Sequence, residues 1–379
     1  MGRNALLSRT AILRGPEAIE LAEVEIDLAT SPHLVLRTLL AGIDGTEIAR
    51  YFGNLPASYF HKLGGRACVM GDEILGEVIS IPAGSANWSH LEIGDRVVLE
   101  PKHACNACKY CLSGHDIHCE QQRGFGVIPF EESPGLWGGF SELVCVPAGA
   151  KVHKVPEGVS DERALLSAVV LADGVRWAQD KGQVKPGDDV LVIGPGPQGL
   201  AAVASAAWAG ASRIIIAGRS QDEARMKLAV ALGATDVIDV DAASLPTAVA
   251  ALTDDGLIDV VIDCGSRQCQ VASLVPLLRK LGRFVVISVG VQSTEVFPTA
   301  LIQKGEIIVV GGRGPRSTTV VTALSRVVSS STPVERIITH RFPLERVSEA
   351  LSVAGRRIAS DTDCIKAIID FRMAGARHV

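Results

Sequence analysis

The sequence predicts an α/β protein in which a β-rich segment precedes a doubly wound parallel sheet. Two observations predict the sheet: strands alternate with helices from about residue 160 onward, and a Gly-rich turn at 194–199 joins the first of these strands to a helix. A third predicts the β-rich segment, because short apolar runs separated by Gly, Pro and Asp fill residues 1 to about 155. A chain of 379 residues is long enough for two domains.

Individual runs justify the elements of both parts. In the β-rich part, strands are expected at residues 34–37, 77–79 and 96–99. In the alternating part, continuous apolar runs predict buried parallel strands, and the stretches between them predict helices. These strands are predicted at 189–193, 213–217, 236–239, 258–263, 284–287 and 307–310, and the helices at 199–209 and 222–232. The C-terminal part predicts a helix at 320–329, an extended stretch at 339–342, and a further helix and strand.

Composition and charge exclude several classes of function. Hydrophobic residues make up 47% and charged residues 21%, so the chain can bury a sizeable core and is not globally disordered. The net charge of −5, without a long basic run, argues against nucleic acid or an acidic membrane as a partner. No apolar stretch is long enough to span a bilayer, and the first residues lack the apolar run of a signal peptide. We therefore expect a cytoplasmic protein that acts on a small molecule.

The Gly-rich turn has the pattern G-x-G-x-x-G of a dinucleotide-binding turn, with Pro197 and Gln198 between its last two glycines. Gly194 makes the tight turn, Gly196 lets the backbone approach a pyrophosphate, and Gly199 lets the helix pack closely on the strand. The helix N-terminus adds N–H groups and the positive end of its dipole. We expect these five residues to bind a cofactor, and a Gly-rich turn without a ligand is the alternative.

The end of the next strand, Gly218 followed by Arg219 and Ser220, bears on the choice between the nicotinamide cofactors. An NAD-binding unit usually has Asp or Glu here, which holds the ribose 2′-hydroxyl. This strand end has no carboxylate to repel a 2′-phosphate, and Arg219 and Ser220 offer groups that bind one. The sequence therefore favours NADP(H) over NAD(H). Asp222 and Glu223 are close enough to keep NAD(H) as the alternative, with Arg219 as a surface charge.

Four of the nine cysteines crowd into one short segment: Cys105, Cys108, Cys111 and Cys119. Four thiolates at this spacing complete a tetrahedral shell around one Zn²⁺ and leave no open position, which is typical of a structural site. We therefore expect one structural zinc in a lobe at 100–122. An iron–sulfur cluster, unliganded thiols and a nucleic-acid zinc module are the alternatives. The remaining cysteines are scattered, which fits a reducing compartment.

Further motifs extend over nearly the whole chain, at residues 138–142, 154–158, 232–234 and 338–344. Together with the cysteine lobe and the Gly-rich turn, they resemble the zinc-type alcohol dehydrogenase branch of the medium-chain dehydrogenase/reductase family. The resemblance implies a GroES-like catalytic domain, a Rossmann coenzyme domain, a cleft with nicotinamide at its floor, and a homodimer or homotetramer. It places the catalytic domain at 1–160 and 320–379 and the coenzyme domain at 161–319.

The resemblance also implies a catalytic zinc, but the ligand positions are altered in this chain. The family's first ligand, a Cys, is replaced by Asp44. The second, a His, is replaced by Asp72, and the third falls at about Val169, which cannot ligate. Zn²⁺ prefers N and S ligands, and two carboxylates beside an aliphatic side chain make a poor shell. We therefore expect no catalytic zinc, and Mg²⁺ held by the two aspartates is the alternative.

Without a catalytic metal, a proton donor or acceptor must handle the substrate oxygen. If the family's cleft is retained, Asp44 and Asp72 lie close together, and neighbouring carboxylates separate their pKa values so that one stays protonated. The expected acid/base is Asp72 or Asp44, with Thr46 as relay because it matches the family's proton-relay hydroxyl. The alternative is that both aspartates only bind local backbone or Arg side chains. Glu73 matches a family Glu behind the zinc and is expected to pair with an Arg.

The resemblance assigns further residues to the nicotinamide end of the cofactor. Asp173 matches a family Thr near the ring, where an acid is unusual. The other matching residues are Val289, Gly290, Val291, Gly312 and Arg313.

These features predict an oxidoreductase that moves hydride without a catalytic zinc, either onto an activated C=C or C=N bond or between a carbonyl and an alcohol. Aromatic residues suggest an apolar substrate: Phe52, Tyr59, Phe60 and Trp137. One alternative is an ordinary zinc-dependent alcohol dehydrogenase with relocated ligands, which zinc content would reveal. The other is a non-catalytic dinucleotide-binding protein, which would bind cofactor without turnover.

Overall fold

The computed structural model describes residues 5–54, 66–265, 271–287, 297–358 and 363–373. The chain forms two compact units, Met1–Val169 with Ile338–Val379, and Val170–Ile337. The first unit therefore contains both ends of the chain, and the second is inserted between them. The domain limits that the resemblance implies, at residues 160 and 319, differ from the limits of these units and stay predictions.

The strands of the described residues are, in chain order, β1 (Ala5–Gly15), β2 (Ala18–Asp27), β3 (Leu34–Gly42), β4 (Cys68–Val69), β5 (Glu73–Ser80), β6 (Arg96–Leu99), β7 (Lys102–His103), β8 (Arg123–Gly124), β9 (Leu143–Val146), β10 (Val152–Lys154), β11 (Asp189–Ile193), β12 (Arg213–Gly218), β13 (Asp236–Asp239), β14 (Ile258–Asp263), β15 (Leu278–Val286), β16 (Ile308–Gly311), β17 (Ile338–Phe342) and β18 (Lys366–Asp370). The α-helices are Gly45–Tyr51, Lys109–Leu112, Asp161–Ala168, Val170–Val175, Pro197–Ala209, Glu223–Leu232, Leu245–Leu252, Val271–Leu274, Thr299–Gly305, Ser317–Ser329 and Val347–Ala354. A π-helical stretch, Arg176–Lys181, follows Val170–Val175.

The second unit is built on a parallel sheet with the order β13-β12-β11-β14-β15-β16 among its described residues. Its strand β11 is apolar after Asp189, and its three middle residues are buried, as expected for a strand covered on both faces. β12, which follows β11 in the sequence, lies on one side of β11, and β14 lies on the other. The strand order therefore reverses at β11, and parallel sheets of this kind bind ligands at such a point. The predicted doubly wound sheet is confirmed.

One strand of this sheet is longer than the sequence predicts. β15 begins at Leu278, whereas the apolar run predicts a strand from 284. Leu278 pairs with Ile258, but the pairing shifts before it resumes at Arg283, and Leu281 has a positive φ of +66°. This interruption exposes Leu281 and breaks the apolar pattern, which therefore becomes visible only near the end of the strand.

The first unit is β-rich, as predicted. Its larger sheet has the order β10-β6-β5-β3-β18-β17, with β9 also paired to β3, and a smaller sheet has the order β2-β1-β4, both among the described residues. The antiparallel strands β3 and β5 pair Gly42 with Glu73, so the end of β3 meets the start of β5. On its other side β3 pairs with β18, which places Gly42 opposite Ile368. Segments from three distant parts of the sequence therefore meet at one sheet end.

Within the described residues, none of the helices combines the length and apolar character needed to cross a bilayer.

Candidate active site

The Gly-rich turn lies at the carboxyl edge of the parallel sheet, between β11 and helix Pro197–Ala209. Gly194 adopts a positive φ of +88°, where a side chain would be strained. A Cβ at Gly199 would lie 2.0 Å from Gly194 O, so glycine is needed for this close packing of helix on strand. Gly196 is the N-cap residue, so the N–H groups of the first helical turn lie at this edge. The turn therefore fits a dinucleotide pyrophosphate.

Beside the turn, hydrogen bonds link three side chains of low exposure. Gln198 Nε2 donates to Asp173 Oδ2 at 2.9 Å, and Trp177 Nε1 donates to Gln198 Oε1 at 2.8 Å. Gly312, which precedes Arg313, packs on Trp177, because a Cβ there would lie 2.2 Å from the indole ring. The structure thus brings the predicted Asp173, Gln198 and Gly312 around Trp177, which no motif marked. The other predicted residues of this region lie outside the described residues: Val289, Gly290 and Val291.

At the end of β12, the groups predicted to bind a 2′-phosphate have carboxylate partners. Arg219 Nε lies 3.4 Å from Asp241 Oδ1. Ser220 Oγ donates to Asp239 Oδ2 at 2.6 Å. Neither aspartate lies directly after β12 in the sequence: Asp239 ends the next strand, β13, and Asp241 lies in the loop after it. The sequence prediction missed both for this reason.

A second guanidinium also lies near the Gly-rich turn. Arg225 belongs to helix Glu223–Leu232, and its Nη1 lies 4.0 Å from the position that a Cβ on Gly196 would occupy. Gly218 packs under the turn, because a Cβ there would lie 2.8 Å from Pro195 Cγ. The sequence prediction missed Arg225, since its proximity depends on how this helix packs.

The four cysteine sulfurs of the lobe lie within 4.8 Å of one another. Cys108 Sγ is 3.5 Å from Cys111 Sγ, and Cys105 Sγ is 3.9 Å from Cys111 Sγ. A tetrahedral site with Zn–S bonds of about 2.3 Å requires sulfur separations of about 3.8 Å. The donor set of these three cysteines and Cys119 therefore fits a structural zinc.

Backbone N–H groups point at the sulfurs of this lobe. Cys108 N donates to Cys105 Sγ at 3.3 Å, and Cys105 N donates to Cys119 Sγ at 3.2 Å. Backbone hydrogen bonds from Cys111 and Glu120 lower the pKa of the Cys108 thiol to about 6. Such bonds favour the thiolate form of Cys108, which is the form that binds metal, whereas burial and the neighbouring thiols raise the pKa of Cys111 to about 12.

A second cluster of ionisable groups forms where β3 ends and β5 begins. Asp44 is the N-cap of helix Gly45–Tyr51, and its Oδ1 accepts from Thr46 N at 2.6 Å and from Glu47 N at 2.9 Å. Glu47 Oε2 accepts from Asp44 N at 3.0 Å, which completes a capping box. Asp44 therefore has the local backbone contacts that the sequence left as its alternative role.

One oxygen from each of Asp44, Glu47 and Asp72 lies within 4.8 Å of the others. Burial acts to raise the pKa of Asp44, but hydrogen bonds from Glu47 and the charge of Lys366 outweigh it and lower that pKa. Burial and the charge of Asp44 raise the pKa of Asp72 well above its ordinary value. The same two causes raise the pKa of Glu47. An ionised carboxylate thus lies beside two carboxyl groups that keep their protons to higher pH.

Asp72 also has an oxygen available for further contacts. Within the described residues, Asp72 Oδ1 is buried and has no hydrogen-bond partner. Thr46 is half-buried in the first turn of the helix that Asp44 caps. The sequence prediction brought these three residues together but missed Glu47. The signal was present, because Glu at the third position after an Asp N-cap is a capping-box pattern.

Glu73 is buried behind this cluster, and its partner is a lysine rather than the expected arginine. Lys366 Nζ lies 2.7 Å from Glu73 Oε2, and both side chains are 1% exposed. Lys366 Nζ also donates to Ile43 O at 3.2 Å. Burial raises the pKa of Glu73 although the charge of Lys366 opposes it. The lysine lies at the start of β18, far along the sequence, so no local pattern identified it.

Replacing Lys366 by Met is expected to destabilise the fold by about 3–5 kcal/mol, because it leaves a buried carboxyl group without its counter-charge. The double variant Lys366→Met with Glu73→Gln is expected to recover most of this loss. The midpoint of urea unfolding measures both. The pKa of Glu73 should rise further in the single variant, so its loss should be smaller in acid, where Glu73 binds a proton. If the double variant lost as much unfolding free energy as Lys366→Met alone, the ion pair would not be the cause.

The residues at the three expected catalytic ligand positions do not fit a zinc ion. Asp44 Oδ1 is occupied by two backbone N–H groups, and Asp72 adds a second carboxyl group. Val169 is a buried aliphatic side chain at the C-cap of helix Asp161–Ala168. Carboxylate oxygens suit hard ions such as Mg²⁺, whereas zinc in proteins prefers N and S donors.

The aromatic residues give no support to an apolar substrate wall. Trp137 is 6% exposed, packs in the core of the first unit, and donates from Nε1 to Glu132 O, so its role towards a substrate stays a prediction. Phe52 is half-buried under the guanidinium of Arg357, 4.9 Å from its ring centre. Tyr59 and Phe60 lie outside the described residues.

Comparisons with known proteins extend over both units. Residues 31–157 match the family model of the alcohol dehydrogenase GroES-like domain, and residues 197–329 match the model of the zinc-binding dehydrogenase. Both predicted domain types are confirmed by these matches.

Similar proteins cover nearly the whole chain. A probable alcohol dehydrogenase of Mycobacterium tuberculosis is 31% identical over 361 residues, which cover 92% of this chain and 95% of the relative. A sorbitol dehydrogenase of Halalkalibacterium halodurans is 28% identical and covers 83% of this chain and 86% of the relative. The crystal structure of an alcohol dehydrogenase from Thermotoga maritima has the same fold, with a TM-score of 0.83, 22% identity, and coverage of 96% and 99% of the two chains.

Proposed function

This chain belongs to the zinc-type alcohol dehydrogenase branch of the medium-chain dehydrogenase/reductase family and is an oxidoreductase, and we propose that it transfers hydride without a catalytic zinc. The substrates we propose are an alcohol and its carbonyl counterpart, because similar proteins include a probable alcohol dehydrogenase and a sorbitol dehydrogenase. One observation carries the proposal: two expected ligand positions hold carboxyl groups, Asp44, whose Oδ1 caps a helix, and Asp72, whose buried Oδ1 has no hydrogen-bond partner among the described residues.

The cofactor we propose is NADP(H), held by the second unit. Gly194, Gly196 and Gly199 leave room for the pyrophosphate, and the helix N-terminus offers N–H donors to it. Arg219 and Ser220 lie at the end of β12, where the family binds the ribose, and they supply a guanidinium and a hydroxyl for a 2′-phosphate. When bound, the nicotinamide ring supplies or accepts the hydride.

The proton is handled by Asp72. As a carbonyl is reduced, its oxygen gains an electron pair from the breaking C=O π bond and takes the proton of the Asp72 carboxyl group, which becomes a carboxylate. Alcohol oxidation reverses these steps, so Asp72 must then start ionised. Asp44 stays ionised as the helix cap, and its charge helps Asp72 to keep a proton. We propose the Thr46 hydroxyl as the relay that exchanges this proton.

The cysteine lobe has a separate, structural role in this proposal. Cys105, Cys108, Cys111 and Cys119 would hold one Zn²⁺, which would fix the loop and, with four protein ligands, would leave no position open for a substrate. We also propose a homodimer or homotetramer, which sedimentation of the purified protein tests.

A substrate panel tests the function directly. Purified protein is mixed with NADPH or NADH and with ketones, aldehydes and conjugated enones, or with the oxidised cofactors and polyols or simple alcohols, and cofactor absorbance is followed. Turnover of a carbonyl–alcohol pair is expected. Turnover of conjugated alkenes alone would replace the proposed substrate class. Cofactor binding without turnover across the whole panel would support the non-catalytic alternative and contradict the proposal.

A further inference from the structure

Two loops at the carboxyl edge of the parallel sheet are tied together by a set of polar contacts. Arg219 Nε lies 3.4 Å from Asp241 Oδ1, and Ser220 N donates to Asp241 Oδ2 at 3.1 Å. Ser220 Oγ donates to Asp239 Oδ2 at 2.6 Å, while Asp239 Oδ1 accepts from Asp241 N at 3.0 Å. Both groups that the sequence assigns to a 2′-phosphate therefore contact an aspartate.

Strand register explains why an acid is present here although β12 ends without one. β12 and β13 are parallel, and Gly218 at the end of β12 pairs with Asp239 at the end of β13. Val240 N donates to Gly218 O at 2.9 Å, which holds the next residues alongside. The carboxylate that an NAD-binding unit usually carries at the end of its second strand is thus supplied from the adjacent strand.

The charged side chains of these two loops have opposite effects on the binding of NAD(H) and of NADP(H). The hydroxyl of Ser220 donates to Asp239 and lowers the pKa of that carboxyl group. A carboxylate oxygen has more than one lone pair, so Asp239 can also accept a hydrogen bond from a ribose hydroxyl. Arg219 attracts a 2′-phosphate, whereas Asp239 and Asp241 repel one. The side chains of Arg219 and Asp241 are 65% and 42% exposed, so their ion pair is weak enough for a phosphate dianion to displace.

We propose that Asp239 and Asp241 are specificity-determining residues that let this chain bind both cofactors. Asp239 accepts the free 2′-hydroxyl of NAD(H), and Asp241 restrains Arg219 and so reduces the affinity for NADP(H). The inference rests on the cofactor site of the proposed function and refines its cofactor preference. It assigns the choice between NAD(H) and NADP(H) to residues of β13 and the following loop as well as to those after β12.

The test measures binding and needs no substrate. NADH and NADPH are titrated into the purified protein while their fluorescence is followed, for the unchanged chain and for Asp241→Asn, Asp239→Asn and Arg219→Gln. Asp254→Asn is the matched control, because Asp254 is exposed and precedes the amino end of β14, at the opposite edge of the sheet. It removes the same charge without touching the two loops.

Asp241→Asn is expected to strengthen NADPH binding about fivefold and to leave NADH binding within about twofold. Asp239→Asn is expected to weaken NADH binding about tenfold, and Arg219→Gln to weaken NADPH binding by a similar factor. The control should change neither. An unchanged NADPH-to-NADH ratio in Asp241→Asn would overturn the inference, as would equal effects of Asp241→Asn and Asp254→Asn.

Adenosine 2′,5′-bisphosphate and 5′-AMP separate this inference from the proposed function. If both fragments bind and Asp241→Asn favours the bisphosphate, the inference holds even when no hydride transfer is detected. If the unchanged chain binds both cofactors and turns over substrate but the aspartate variants do not alter the ratio, only the inference fails. If neither the cofactors nor the fragments bind, both fail.

Discussion

Asp72→Asn is expected to lower kcat for carbonyl reduction by about 10²- to 10⁴-fold, which is the usual contribution of a positioned general acid. Asn matches the shape of Asp but has no proton to give to the substrate oxygen at neutral pH. The affinity for NADPH is expected to stay within about twofold, because the lost interaction acts on the reacting oxygen during the chemical step. Single-turnover kinetics and fluorescence titration measure the two quantities separately.

The pH profile gives this prediction a second readout. Because Asp72 donates in its protonated form, the reduction rate of the unchanged chain should be constant at low pH and fall as pH rises through the raised pKa of Asp72. Alcohol oxidation needs the carboxylate, so its rate should rise through the same pKa. Asp72→Asn should lack this dependence in both directions.

The variant Asp72→Asn should lose activity without losing stability. A carboxyl group whose pKa is higher in the folded chain than its ordinary 3.8 binds more protons when folded, so stability falls as pH rises from 3.8 through the folded pKa. Asn does not ionise and escapes this loss. Asp72→Asn should therefore be at least as stable as the unchanged chain at neutral pH, which excludes unfolding as the reason for lost activity.

Asp44→Asn is the matched control for the catalytic variant. Asn is also a good N-cap, so the helix that begins at Gly45 should persist. Removing the charge of Asp44 should lower the pKa of Asp72 and shift the fall in reduction rate to lower pH, while most of kcat is retained in acid. If Asp72→Asn kept full kcat and Asp44→Asn lost it, the assignment of the acid would be wrong.

Cys111→Ser is expected to remove the structural zinc and to lower Tm by about 10 °C, because metal binding stabilises the folded lobe. The Cys111 sulfur lies within 4 Å of two other cysteine sulfurs, at 3.5 and 3.9 Å, so its loss opens the tetrahedral shell. Zinc content by elemental analysis and Tm by calorimetry check the two effects.

A cysteine outside the lobe provides the control for this variant. Cys145 is fully buried in β9, and burial raises the pKa of its thiol to about 12, so it is neutral. Cys145→Ala should cost stability through lost packing but keep one zinc per chain. Zinc retained in Cys111→Ser, or a Tm equal to that of the unchanged chain, would argue against a structural zinc at this lobe.

The sequence predicted features that depend on neighbouring residues. The apolar runs predicted β11 and β14 with the observed bounds, because a strand buried on both faces is marked along most of its length. The bounds predicted for the edge strand β13 also match, although Val237 is exposed. The cysteine spacing and the Gly-rich turn were likewise visible, since one short loop supplies each set of groups. Glu47 was overlooked although its capping-box spacing from Asp44 was present.

Other features depend on strand register and could not be seen in the sequence. Lys366 meets Glu73 because β18 and β5 both flank β3, which joins segments almost 300 residues apart. Asp239 lies beside Gly218 because of the pairing of β13 with β12. A prediction limited to the residues after β12 considers only Asp222 and Glu223 as nearby acids, and the cofactor preference inferred from Arg219 and Ser220 therefore omitted their partners Asp239 and Asp241.

The metal content of the active protein decides whether a carboxyl proton or a zinc ion acts on the substrate oxygen. We predict one zinc per chain in protein that transfers hydride at full rate, with that zinc lost in Cys111→Ser and kept in Asp72→Asn. Two zinc ions per chain, with the second lost in Asp72→Asn together with activity, would contradict the account, because a metal ion and not a carboxyl proton would then act on the substrate oxygen.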